Sequence, residues 1–145
     1  MGILSDLFVA TPAAANDYAA SILRGRAVHT AKYHPAEYKG LTTLEFGMLW
    51  ALIEGAEWEI DKHMLEEVSY GEGNGSWLCR FQSPLVDLLS QLTDAHIDKY
   101  AAAWAQTEEL SGSTASDLRP IVADLRRLAI DARNSGQQLF LWGSL

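Results

Sequence analysis

The chain has little cysteine, little positive charge and no long apolar run. Its single cysteine, Cys79, excludes an internal disulfide, so we expect a reducing, cytoplasmic location. No apolar stretch approaches the roughly 18 residues of a membrane span. The first apolar run lacks a preceding positive charge and is interrupted by Asp6, so no secretory signal is predicted. These absences exclude a disulfide-stapled scaffold and argue against a membrane protein.

Acidic residues outnumber basic residues in the chain as a whole. The 11 Lys and Arg residues stand against 19 Asp and Glu, which gives a formal net charge of −8. A field of that sign repels nucleic-acid phosphates and anionic membranes, whereas it attracts basic proteins. We therefore expect no nucleic-acid or membrane partner. Acidity that serves solubility alone is the competing interpretation, and composition does not separate the two.

Apolar residues are abundant and predict a self-sufficient core. They make up 48% of the 145 residues, and a chain of this length buries roughly 70% of its unfolded surface. We predict a single globular domain over residues 1–145, stable without a metal or cofactor.

Local patterns predict an α+β fold, dominated by helices, with a small sheet of three or four short strands. The clearest helix starts at Ser116 or Asp117, because its apolar residues recur at i, i+3, i+4 and i+7 until Gly136. Cap-forming threonine or serine, followed by proline or glutamate, marks other helix starts. These starts lie at Thr11, at Thr42 or Thr43, at Ser83, and at Thr93 or Asp94.

Strands are predicted where aromatic and apolar residues cluster in short runs. Those runs are 3–10, 77–81 and 138–142, with 65–70 as a fourth if it is extended. Residues 26–40 show little periodicity and are predicted to be a loop, with or without a short turn of helix. Residues 56–70 fit either a helix or a pair of strands, so both alternatives stay open. The glycine-rich segment 71–76 is predicted to be a turn, because it lacks the Lys-Ser/Thr of a phosphate-binding loop.

The histidines supply the first candidates for chemistry. His29, His34 and Glu37 follow no spacing known for metal ligands, so no metal site is predicted. Glu59 and His63 are four residues apart and would share one face of a helix, where a carboxylate can orient a general base. No nucleophile or oxyanion donor accompanies them. An ordinary Glu–His pair is the preferred interpretation, and a small enzyme or ligand-binding protein with a pocket around these residues is the alternative.

The catalytic motifs that we considered all lack essential parts. No Gly-x-Ser-x-Gly nucleophile motif is present. Cys79 is flanked in a predicted strand by Arg80, whose side chain would point to the opposite face, so a core position is expected for the thiol. We therefore expect no catalytic residues and a non-enzymatic protein.

Acidic residues cluster most densely between positions 54 and 67. Lys62 is the only basic residue in this stretch, and Trp50 and Trp58 lie in or beside it. Charge steers a partner and an aromatic side chain can supply the buried hot spot, although both tryptophans could equally belong to the core. The predicted partner-binding residues are Glu54, Glu57, Trp58, Glu59, Asp61, Glu66 and Glu67.

The leading functional hypothesis is therefore protein binding. Its most concrete version is a small acidic antagonist, such as an immunity protein that neutralises a basic toxin or nuclease. The alternatives are the enzyme or ligand binder described above, and a protein that self-associates through the edge of its sheet. The sequence does not identify the partner, the oligomeric state or the order of the strands.

Overall fold

The structure is a computed structural model that describes residues 3–22, 32–70 and 75–145. Threonine side chains cap the N-termini of four of its α-helices, where each accepts a hydrogen bond from a backbone N–H that has no partner inside the helix. The elements, in chain order, are β1 (Leu4–Ala10), α1 (Pro12–Ser21), β2 (Ala36–Lys39), α2 (Thr43–Glu54), β3 (Glu66–Tyr70), β4 (Ser76–Arg80), α3 (Ser83–Ser90), α4 (Asp94–Ala105), a 3-10 turn (Glu108–Leu110), α5 (Ala115–Ser135) and β5 (Gln138–Ser144).

The strands form one antiparallel sheet in the order β2-β1-β5-β4-β3. The first and last strands of the chain are neighbours, with Leu4 opposite Ser144 and Ala10 opposite Gln138. Because β5 lies between β1 and β4, the C-terminal strand occupies the centre of the sheet. Strands β2 and β3 form the two edges of the sheet.

The expected sheet of three or four strands is wrong, since the sheet has five. The additional strand is β2, which lies in the segment predicted to be a loop. Ala36, Glu37 and Lys39 have low strand propensity, and Pro35 precedes them, so the local signal is weak. Pairing with β1 holds the segment extended, with Leu4 opposite Lys39. The described residues otherwise have an α+β architecture, with five α-helices around the sheet.

Helices cover both faces of the sheet because its strands alternate apolar side chains to either side. On one face, Leu7, Cys79 and Leu141 pack with α2, α3, α4 and α5 in the larger core. On the other, Phe8, Leu78, Phe140 and Trp142 pack against α1. The buried carboxylate of Asp6 lies on this second face and accepts a hydrogen bond of 2.6 Å from the Tyr18 hydroxyl.

Helix boundaries follow the capping signals with small shifts. Thr42 accepts a hydrogen bond from the Leu44 N–H, and Gly55 ends α2 at a φ of 73°, a left-handed conformation that glycine adopts without strain. The helix α5 begins slightly earlier than expected, because Thr114 rather than Ser116 or Asp117 is its N-cap. Its predicted apolar stripe, which includes Leu125 and Leu128, is buried.

The segment 56–70 resolves into a loop followed by a strand. Residues 56–65 form the connection that we call the acidic loop, and residues Glu66–Tyr70 form β3, which has a bulge between Glu67 and Ser69. The predicted end of α1 near Arg24 and most of the turn at 71–76 lie outside the described residues. Within the described ranges, no helix combines the length and the apolar character that a membrane crossing requires.

Candidate functional site

The acidic loop is held by a buried histidine. The His63 side chain is only 1% exposed, and its Nδ1 accepts a hydrogen bond of 2.9 Å from the Glu59 N–H. The Glu59 carbonyl in turn accepts the His63 N–H at 2.8 Å, which closes a turn over residues 59–63. An Nδ1 that accepts requires the ring proton to be on Nε2, which lies 3.4 Å from a Glu54 carboxylate oxygen.

The loop backbone lies directly on helix α2. A Cβ added to Gly47 would come within 2.1 Å of the His63 carbonyl oxygen and 3.3 Å of the Trp58 Nε1. Only glycine leaves space for the loop at this position. The His63 ring also packs edge-on against Trp50, with the ring centroids 5.4 Å apart. The loop therefore has a defined position on α2 despite its lack of regular structure.

The two tryptophans in this region contribute to packing more than to the surface. Trp50 is 3% exposed and belongs to the core. Trp58 is half-buried, and its indole nitrogen is buried without a hydrogen-bond partner among the described residues. Trp58 thus packs the loop onto α2 and presents only part of its ring to solvent.

The acidic stretch separates into paired and unpaired carboxylates. Glu54 binds the Lys62 ammonium, which lowers the pKa of Glu54 below its ordinary value. Glu66 binds Arg80 on the adjacent strand β4. No hydrogen bond or ion pair joins the remaining carboxylates to another described residue. These exposed, unpaired side chains are Glu57, Glu59, Asp61 and Glu67.

Glu66 and Glu67 also point to different faces of the sheet. Glu66 lies opposite Arg80, whereas Glu67 lies opposite Cys79 of the larger core. Of the predicted partner-binding residues, the structure therefore groups Glu57, Glu59 and Asp61 on the loop. It places Glu66 apart from them, beside a cleft that Arg80 and Arg133 also line.

Exposed apolar side chains accompany the unpaired carboxylates, and the sequence reasoning overlooked them. Ile60 is 59% exposed and lies between Glu59 and Asp61, while Met64 is 41% exposed at the end of the loop. Contiguous apolar patches rimmed by polar residues mark contact surfaces, and Ile60 and Met64 are the candidates for the apolar part of such a patch on the loop. The available signal was the isolated apolar residue inside the run Glu59–Lys62.

The residues considered for catalysis do not form a site within the described residues. His63 is buried, whereas His34 is exposed with a φ of 49°, and His29 lies outside the described ranges. Glu59 contacts the His63 ring through its backbone N–H and not through its carboxylate. No group of three or more potential metal ligands occurs in the part of the chain that the structure describes.

The thiol of Cys79 has the environment of a core residue. It is 4% exposed, and burial, together with the nearby Glu67 carboxylate, raises its pKa to about 11. A thiol is nucleophilic only as the thiolate. At neutral pH the Cys79 thiol is therefore protonated and buried, which agrees with the core position expected from the sequence.

Among the described residues, the acidic loop thus forms an acidic and partly apolar surface with a defined position on α2, and the residues considered for catalysis are not assembled into a site. Comparison of the chain with protein-family models, with curated proteins and with solved structures gives no match.

Proposed function

We propose that this protein acts by binding another protein through the acidic loop, without catalysing a reaction. The observation that carries the proposal is Ile60, which is 59% exposed between two unpaired carboxylates. The buried His63 and half-buried Trp58 hold the loop against α2. Little conformational entropy is then lost on binding, because the loop is already ordered.

The chemistry of the surface favours a basic partner. Glu57, Glu59 and Asp61 carry unpaired negative charge, and the whole chain has a net charge of −8. Such a field accelerates association with a positively charged surface. The concrete form of the proposal is a cytoplasmic antagonist of the immunity-protein kind, which covers a basic toxin or nuclease.

Self-association through a sheet edge is less well supported. Strand β3 has a bulge between Glu67 and Ser69 and carries two adjacent glutamates. Bulges and charges are features that keep an edge strand from pairing with another chain. The charge of the acidic loop, in contrast, attracts a basic partner.

The test uses matched charge reversals. The loop variant combines Glu57→Lys, Glu59→Lys and Asp61→Lys. The control combines Glu108→Lys, Glu109→Lys and Asp131→Lys, which changes the net charge equally at exposed positions elsewhere. Wild-type protein and both variants serve as baits in a lysate of the native host, and a protein retained stoichiometrically is then purified for kinetics.

We expect wild type and control to retain one basic protein and the loop variant to lose it. The association rate of the purified pair should fall by about tenfold or more in the loop variant at low salt, and the difference should shrink as salt rises. Equal retention by both variants would show that the acidity serves solubility. A captured protein that does not bind in purified form would equally contradict the proposal.

A further inference from the structure

A small cavity opens next to the acidic loop. It lies between the start of α2 and strands β3 and β4, and has a volume of about 260 Å³. Met64 and Leu65, the last two residues of the loop, form part of its wall, so the cavity is continuous with the proposed binding surface. Its lining consists of Thr43, Met64, Leu65, Glu67, Trp77 and Cys79.

The walls of the cavity combine polar and apolar surface in similar amounts. Some wall residues are held in the core, whereas Met64 can change conformation. Leu65 and Cys79 are each 4% exposed and belong to the core. The Trp77 indole lies over Gly143, where an added Cβ would come within 2.2 Å of its Nε1. Met64 is 41% exposed, and an unbranched thioether adapts its shape to what it contacts.

A single uncompensated charge lies at this cavity among the described residues. The Glu67 carboxylate forms no hydrogen bond or ion pair with another described residue, whereas the adjacent Glu66 is neutralised by Arg80. Its charge is felt inside the cavity, because it contributes to the raised pKa of the Cys79 thiol. Apolar wall residues beside one carboxylate match a side chain that has an aliphatic stem and a cationic head.

We propose that the cavity receives an arginine side chain of the binding partner. This inference rests on the proposed function for the partner, but the cavity can be tested without it. The aliphatic stem would pack on Met64 and Leu65, and the guanidinium would pair with Glu67 beside the Trp77 ring. Arginine suits the position better than lysine, since a planar guanidinium stacks on aromatic rings and forms forked hydrogen bonds to a carboxylate.

The experiment titrates the isolated protein with two small probes. N-acetyl-L-arginine methylamide carries the guanidinium, and N-acetyl-L-citrulline methylamide carries a neutral urea of nearly the same shape. Binding is followed by NMR at the Trp77 indole N–H and the Cys79 backbone N–H. Glu67→Gln removes the charge at the cavity, and Glu66→Gln removes the neighbouring charge that faces the other side of the sheet.

We expect saturable shifts at Trp77 and Cys79 with the arginine probe and weaker shifts with citrulline. Glu67→Gln should weaken arginine binding by about two- to fivefold, the range of one exposed ion pair, whereas Glu66→Gln should leave it unchanged. Equal affinity for both probes, equal effects of both variants, or no saturable shift would overturn the proposal. Any of these results would leave the loop-reversal test standing, because that test changes other residues and measures a protein partner.

Discussion

The hydroxyl of Tyr38 on β2 donates a hydrogen bond to the carboxylate of Asp124 on α5, joining residues 86 positions apart. Asp124 also accepts a hydrogen bond of 3.3 Å from Arg127, so one carboxylate serves both groups. Burial and the bond to Asp124 both raise the pKa of Tyr38 above its ordinary value. The hydrogen bond connects the edge strand β2 to helix α5.

Replacing Tyr38 by phenylalanine should therefore lower the free energy of unfolding by about 1.5 kcal/mol, the lower end for a hydrogen bond to a charged group, because the pair is only part-buried. Denaturant midpoints at neutral pH measure the effect. Because the pKa of Tyr38 is raised in the folded state, its contribution is fully present below about pH 10, the pKa of an unfolded tyrosine, and decreases at higher pH. The difference in free energy of unfolding between wild type and Tyr38→Phe should thus become smaller above about pH 10. A difference that is absent at neutral pH would contradict the role of the bond.

The same tyrosine shows why one strand escaped prediction. Its segment alternates half-buried Ala36 and Tyr38 with exposed Glu37 and Lys39, which is a strand pattern, but four residues are too few to identify a strand by periodicity. The pairing of β2 with β1 depends on contacts that are distant in sequence. In contrast, the i, i+3, i+4 pattern of α5 extends over 21 residues, and its central part could be identified from the sequence.

Leu125 tests the stability that α5 contributes. Its side chain is completely buried in the larger core, so Leu125→Ala should lower the free energy of unfolding by about 2–5 kcal/mol. Ile130 lies on the same helix at 40% exposure, and Ile130→Ala is the matched control with an expected change within about 0.5 kcal/mol. Equal denaturation midpoints for the two variants would contradict the assignment of the buried stripe.

The C-terminal strand should be indispensable. Residues Leu139–Trp142 are at most 1% exposed, and β5 pairs with both β1 and β4. Deleting residues 139–145 would remove the centre of the sheet. We therefore expect the truncated protein to be insoluble, or to be a molten globule that lacks the native near-UV circular dichroism signal. Leu145→Ser is the control, since that side chain is 74% exposed. A soluble truncated protein with a native-like spectrum would show that β5 is dispensable.

Gly47 offers a test in which two effects have opposite signs. In an isolated helix, replacing an interior glycine with alanine stabilises by about 1 kcal/mol. In this protein the new Cβ would come within 2.1 Å of the His63 carbonyl oxygen, and backbone cannot yield as a flexible side chain does. We therefore expect Gly47→Ala to destabilise by about 1–3 kcal/mol, with a red shift of tryptophan fluorescence as the loop is displaced. Gly112→Ala, which meets nothing within 4 Å, should have no such effect, and a stabilised Gly47→Ala would refute the close contact.

The acidic loop could be predicted from the sequence as a binding surface only in part. The density of carboxylates between positions 54 and 67 is evident in the sequence, but their pairing is not. Arg80 lies 14 positions from Glu66 and reaches it because β3 and β4 are paired in that register. Likewise, whether Trp58 or Ile60 faces solvent depends on how the loop lies on α2, since both are large apolar residues in the same charged run.

Substitutions of Trp58 and Ile60 should therefore have different effects, the first on stability and the second on partner binding. Trp58 is half-buried with an inaccessible indole nitrogen, so Trp58→Ala should lower the free energy of unfolding by roughly 1–3 kcal/mol. Ile60 is 59% exposed, so Ile60→Ser should leave the denaturation midpoint within about 0.5 kcal/mol of wild type. If the loop binds a partner, losing an apolar contact at its centre should raise the dissociation rate, whereas losing rim charge lowers the association rate. Surface-plasmon resonance with the purified partner measures the association rate and the dissociation rate separately. A stable Trp58→Ala protein whose complex dissociates faster, beside an Ile60→Ser protein that binds as wild type does, would make Trp58 the contact residue instead.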